Sequence, residues 1–251
     1  VFEIDLASGD RTILSDASTG SGPDFGNVDN MALDSANNRL MLAGIGGYVI
    51  SVDLTSGNRA TFVDVRPEFE PNKVDFRGIA VDAVNDNLLV ADSRLDQVLR
   101  FNLITPVRTV LVGNGAGSGP ESTVLYSVQG LSFDSSRDRL MLTRSGVADS
   151  VIAVDMIDGS RQTLSDDFNG AGPTFDFPQR PDIDTVNDRV LFAANSNDAI
   201  YAVDLTNGGR TRLSDNLGIG SGALFGDPWD IDVLSGGDEA LVLDSSVGLL
   251  R

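Results

Sequence analysis

Residues Phe177–Asp215 read FPQRPDIDTVNDRVLFAANSNDAIYAVDLTNGGRTRLSD, and four short apolar runs lie within them. The first runs into the polar turn Asp184–Arg189. Val190–Ala194 is a second run, wholly apolar. After Asn195–Asp198 comes a third, Ala199–Val203, and after Thr206–Gly209 a fourth, Arg210–Leu213. Runs of this length punctuated by Asn, Asp and Gly are hairpin signals. The unit predicts four antiparallel strands.

The same order recurs along the chain. The third strand is found again as Ile4-Asp5-Leu6, Val52-Asp53-Leu54, Phe101-Asn102-Leu103 and Val154-Asp155-Met156, alongside Val203-Asp204-Leu205. Successive middle residues lie 48, 49, 53 and 49 positions apart. The hairpin that follows carries a Gly in four copies: Gly9, Gly57, Gly159 and Gly208. Gly supplies the left-handed residue of a short loop. The second strand, as in Leu88-Leu89-Val90-Ala91 or Leu140-Met141-Leu142, is apolar on both faces and is expected between neighbouring layers. A four-stranded unit of this period predicts an all-β protein, a single five-bladed β-propeller spanning residues 1–251.

The chain opens on a third strand and closes on a second, so the orphan halves are expected to complete one blade. Val1–Leu6 would pair with Ala240–Leu243 and seal the ring, leaving no free sheet edge. The tail Gly248–Arg251 overlaps the register of Val1 by about two residues, so one terminus is expected to be displaced. Val1 and Arg251 look like cut ends, which keeps open a structural domain of a larger extracellular protein.

Composition removes several chemistries. His and Cys are both absent from the 251 residues, which excludes imidazole bases, Ser-His-Asp triads, thiolate metal sites and disulfides. The formal charge is −19, from 37 acidic and 18 basic residues. Such a surface repels nucleic acid and anionic lipid and suits saline surroundings. No run of about 18 apolar residues offers a membrane span. The expected location is secreted, periplasmic or on a cell surface.

The pattern Arg77-Gly78-Ile79-Ala80-Val81-Asp82, Asn87-Leu88-Leu89-Val90-Ala91-Asp92 and Val98-Leu99-Arg100-Phe101 resembles the NHL-type and gluconolactonase-like propellers. The resemblance covers the whole chain at the level of repeat shape. Such propellers commonly have six blades, and this chain supplies five. The family includes binding modules and a few metal-dependent lactonases and lyases, so the resemblance implies either.

Function is sought where the repeat breaks. The opening residues of the first strands align as Asp29, Arg77, Gln129, Gln179 and Trp229. The next column is Asn30, Gly78, Gly130, Arg180 and Asp230. The framework repeats around these positions while they vary, so the fold does not dictate them. Asp29, Arg77, Gln129, Gln179, Trp229, Asn30, Arg180 and Asp230 would form one mouth of the axial channel and grip a small polar ligand. The first reading is a non-catalytic module binding such a ligand or a protein partner, with no cofactor required. The alternative is a calcium-dependent lactonase- or lyase-like enzyme at the same mouth, where Asp29, Asn30 and Asp230 are oxygen donors but Arg77 and Arg180 oppose a cation. Asp166 and Asp167, in a crossing loop, are further calcium candidates. The turn Asp82–Asn87 has the composition of a calcium loop without its spacing, and hairpin geometry accounts for it. Oligomeric state is not written in these residues.

Overall fold

The computed structural model describes the chain except for residues 5–9, 69–72, 114–115, 120–124, 147–148, 235, 246–247 and 251. Among the described residues four sheets have four antiparallel strands in chain order. They are β3 (Val28–Asp34), β4 (Arg39–Gly44), β5 (Tyr48–Asp53) and β6 (Arg59–Asp64); β7 (Phe76–Asp82), β8 (Asn87–Asp92), β9 (Gln97–Asn102) and β10 (Arg108–Val112); β11 (Val128–Asp134), β12 (Arg139–Arg144), β13 (Ser150–Asp155) and β14 (Arg161–Ser165); and β15 (Pro178–Asp184), β16 (Arg189–Ala194), β17 (Ala199–Asp204) and β18 (Arg210–Asp215). A fifth sheet has three strands, β19 (Pro228–Val233), β20 (Ala240–Asp244) and β21 (Gly248–Leu250). β1 (Phe2–Ile4) and β2 (Arg11–Ile13) form a sheet of their own. The helical content is short 3-10 turns such as Ser35–Asn37, and no helix among the described residues is long and apolar enough to cross a membrane.

The apolar second strands form the core, as their pattern requires. Leu88, Leu89, Val90, Ala91, Leu140, Met141, Leu142 and Phe192 are fully buried between sheets. The crossing-loop phenylalanines fill the outer gaps. Phe175 packs edge-on against Phe192 at 4.9 Å and Tyr201 at 5.9 Å.

Turns explain the polar punctuation. In the first turn of each complete sheet a buried Asp accepts backbone N–H groups: Asp184 Oδ1 from Val186 at 3.1 Å and Asn187 at 3.0 Å. In three copies an Arg then closes on the same carboxylate, Arg39 to Asp34 at 2.8 Å, Arg139 to Asp134 at 3.0 Å and Arg189 to Asp184 at 2.7 Å. In the turn Asp82–Asn87 there is no such Arg: Asp82 accepts from Val84 N–H at 3.2 Å, Asn85 N–H at 3.1 Å and Asn85 Nδ2 at 2.9 Å, the bonds of a hairpin turn. The repeated Gly of the third turn is left-handed as expected, with φ of 69°, 69° and 73° at Gly57, Gly159 and Gly208; Gly9 lies outside the described residues.

Two expectations need correction. β1 pairs with β2, and its expected partner β20 pairs instead with β21, Val242 opposite Leu250 and Leu243 opposite Leu249. The overlap of the two termini is thus resolved in favour of the C-terminal segment, which needs only a short turn to reach the strand it follows. Asp5 and Leu6, part of the expected pairing, lie outside the described residues. Leu241 and Leu243, expected in the core, are half-buried and exposed, because among the described residues no sheet covers that face of β20.

The first strands pack on one another in sequence, β3 on β7, β7 on β11, β11 on β15 and β15 on β19, with no comparable packing from β19 back to β3. They line a channel of about 900 Å³ that draws residues from all five.

Candidate functional site

Each first strand opens with a β-bulge. Val28 faces Gly44 and Asn30 faces Ala43, leaving Asp29 without a cross-strand partner. The same slip leaves out Arg77, Gln129 and Trp229, and sets Gln179 and Arg180 together against Ala193. The column of non-repeating residues is therefore the column of bulged residues. A bulge turns a side chain away from the direction the pleat would give it. Sequence periodicity cannot show this, because a bulge is a relation between two strands.

The bulge divides the eight candidates. Asn30, Arg180 and Asp230 line the channel itself. Asp29, Arg77, Gln129, Gln179 and Trp229 are not among the residues that line it. Gly78 and Gly130, the remaining members of the second column, are there for close approach. A Cβ on Gly78 would come within 2.8 Å of Leu131 N, and one on Gly130 within 2.8 Å of Arg180 Cα.

Arg180 links three of the other candidates. Its Nη2 donates to the Asp29 carbonyl at 2.9 Å and to Asp29 Oδ2 at 2.8 Å. Its Nη1 lies 3.6 Å from Asp230 Oδ2, and its guanidinium carbon stands 5.6 Å from the centre of the Trp229 ring. Three of the other seven residues, on two other strands, thus meet at one cation. Arg180 Nε is buried and has no hydrogen-bond partner among the described residues.

The others are held locally. Arg77 Nε donates to Asp75 Oδ2 at 3.1 Å, and Asn30 Nδ2 donates to the Arg77 carbonyl at 3.2 Å. Gln129 Nε2 donates to Ser145 Oγ at 2.7 Å and to Ser127. Gln179 is buried, its side-chain Nε2 donating to the Phe177 carbonyl at 3.2 Å while its backbone carbonyl accepts from Thr143 Oγ1 at 2.7 Å.

Acids that sequence reasoning did not single out join the site. Asp182 and Asp232 line the channel with Asp230. Burial pushes the Asp230 carboxyl up to about 6; Arg180 opposes this, and Asp232 and Asp182 add repulsion. Burial also raises Asp182, whose Oδ2 accepts Val233 N–H at 2.8 Å. Asp75, just ahead of β7, is buried with Oδ1 unpartnered among the described residues. The signal for Asp75 was present two positions before the varying columns, where Asn27, Asp75, Ser127, Phe177 and Asp227 also differ from copy to copy.

Of the two calcium candidates, Asp166 holds its own loop. Asp166 Oδ1 accepts from the N–H groups of Phe168 at 2.8 Å and Asn169 at 2.6 Å. The loop carbonyls of Asp166, Asn169 and Pro173 converge on Arg210, at 2.9 Å for Asn169 and 2.8 Å for Pro173. Asp167 is exposed. No cluster of three acidic side chains suited to a metal exists among the described residues.

No protein-family model matches the chain, and no curated protein does. Solved structures do. A chain in the crystal structure of a nidogen/laminin complex superposes with a TM-score of 0.68 at 17% identity, over 87% of this chain and 72% of that one. A structural-genomics protein of unknown function from Bacteroides thetaiotaomicron VPI-5482 gives 0.72 at 14% identity, over 99% of this chain and 62% of that one. The fold is a β-propeller. At these identities the likeness concerns the fold alone, and the chain spans less than two thirds of the bacterial protein. Each four-stranded sheet is then a blade.

Proposed function

We propose that the protein is a non-catalytic binding module, exported or displayed at a cell surface, whose channel mouth takes a small polyhydroxylated ligand such as a sugar. One observation carries the reading: Arg180 is held between Asp29 and Asp230 beside the face of Trp229. Carboxylates, amides and a guanidinium around an aromatic face offer donors and acceptors in the mixture that hydroxyl groups use. Asp182, Asp230 and Asp232 make the wall acidic, which favours a neutral ligand over an anionic one. The lack of Cys and the net charge of −19 suit an exported protein.

A protein partner is the second reading, favoured by the similarity to a chain from a nidogen/laminin complex. A calcium-dependent lactonase is disfavoured by Arg180, which sits among the acids a divalent cation would need. Calorimetric titration of sugars and small carboxylic acids, with calcium as a separate arm, tests the proposal. A sugar should bind, and Trp229→Ala and Arg77→Ala should each weaken it at least tenfold. Unchanged affinity in both variants moves the site elsewhere, and calcium-dependent turnover of a lactone replaces the proposal with the enzymatic one.

A further inference from the structure

The junction between the last blade and the first differs from every other junction. Met31 on β3 is 62% exposed, whereas its equivalents Ile79, Leu131 and Ile231 are 4%, 5% and 5% exposed. Leu243 on β20 is 43% exposed, whereas Ala43, Ala91, Thr143 and Ala193 at the same place are fully buried. Leu33 is exposed, and Leu40 and Leu241 are half-buried where the matching residues of other blades are buried or half-buried. These side chains face one another across the open side of the channel.

The β1–β2 sheet shows what belongs there. It is seated on the first complete blade as the outer strands of other blades are seated on their successors. Gly57 abuts the Leu14 carbonyl just as Gly159 abuts that of Leu111 and Gly208 that of Leu164. Arg59 enters the loop after β2, bonding Ser15 Oγ at 2.6 Å and the Asp16 carbonyl at 2.7 Å, as Arg210 enters the loop after β14. β1–β2 is therefore the outer half of a blade. It is not the outer half of the β19–β20 blade, whose third-strand position is taken by β21. Among the described residues β1 has β2 as its partner strand, so its inner edge faces the gap.

We infer that the gap between β19–β20 and β3–β4 is a seat for a two-stranded antiparallel ribbon, the inner half of a sixth blade whose outer half is β1–β2. Its occupant has the chemistry of this chain's own repeat. A first strand would lie against β3 and β19, and a second strand, apolar on both faces, would pair with β1 and cover Met31 and Leu243. Main-chain bonding along β1 would provide affinity, and the two apolar faces would provide selectivity for that pattern.

The protein has no cysteine, so single thiols can report on the gap. Leu243→Cys and Met31→Cys variants are compared with Val90→Cys as a buried reference and Ile157→Cys as an exposed one. Maleimide should modify the first two at rates near that of Ile157→Cys. A copy of residues 76–97 is then placed ahead of Val1, so that it leads into β1 in the register of the repeat. Modification at Leu243→Cys and Met31→Cys should slow at least tenfold and the melting temperature should rise. Ile157→Cys should be unaffected, and a scrambled extension should change nothing. Slow modification before the extension is added, whether from closure of β1 onto β20 or from a dimer seen in sedimentation, overturns the inference. Fast modification that persists after the extension also overturns it.

Discussion

Arg180 and Arg210 are both buried arginines, on the first and last strands of one sheet, and they serve different ends. Arg210 is gripped by loop carbonyls and Ser165 Oγ, and Arg59 repeats that arrangement one hundred and fifty-one residues earlier with Ser15, Asp16, Thr19 and Pro23. Arg180 has no counterpart: its column holds Asn30, Gly78, Gly130 and Asp230 in the other blades. It reaches across the channel to Asp29 on another blade and leaves Nε unpartnered among the described residues. A residue that recurs with the repeat satisfies the repeat's own polar groups. One that appears once, in the channel, is free of that duty.

The sharpest way to break the comparison is through stability. Arg210→Ala would strand several buried carbonyls, and it should cost about 3 kcal/mol in urea unfolding. Arg210→Lys should recover little, since an ammonium cannot span the same forked set of acceptors. Arg180→Ala should cost about 1 kcal/mol, because the channel admits water to Asp29 and Asp230 once the arginine is gone. Equal losses would place Arg180 in the framework after all.

The same contrast runs through the apolar residues. Leu140→Ala, at a junction covered on both sides, should cost about 2–5 kcal/mol. Leu243→Ala, at the open junction, should cost under about 1 kcal/mol, in keeping with a surface site. A comparable loss at Leu243 would mean that its face is covered in solution.

These contrasts also mark what the sequence could and could not disclose. The second strands were legible because a run such as Leu88-Leu89-Val90-Ala91 fits little else than a strand buried on both sides. The turns were legible because Asn, Asp and Gly are chosen there by backbone geometry, as at Gly57 and Gly208. The place of the varying residues at the start of the first strands was legible too. The bulges at Asp29, Arg77, Gln129 and Trp229 were not, since register is settled jointly by two strands. The overlap of the two termini at β20 was legible, but not which of β1 and β21 would take the place, since connectivity decides between them. The Arg180–Asp29 bond joins residues 151 positions apart, and no local pattern encodes it.

A smaller effect sharpens the account through pH. The folded-state carboxyl of Asp230 is raised to about 6 from 3.8 by burial. An acid with a raised pKa binds more protons folded than unfolded, so its contribution is favourable below about pH 4 and is lost as pH rises to about 6. Asp230→Asn should therefore stabilise the protein at pH 7 and leave it unchanged at pH 3.5. The side chain keeps 36% of its surface open to the channel, which limits the gain. About 1–2 kcal/mol is expected after that allowance. Melting curves of both proteins across this range would check the sign, and a variant less stable at pH 7 would show that Asp230 contributes to the framework through Arg180.

Trp229 is the only tryptophan of the chain and lies against Arg180, so its fluorescence reports on the mouth directly. The most direct measurement of the central claim is a titration of neutral sugars against that signal, in the unaltered protein and in Arg180→Ala. The account predicts a saturable change whose midpoint moves at least tenfold in the variant. A signal that stays flat for every sugar, or one that saturates at the same concentration without Arg180, would contradict it.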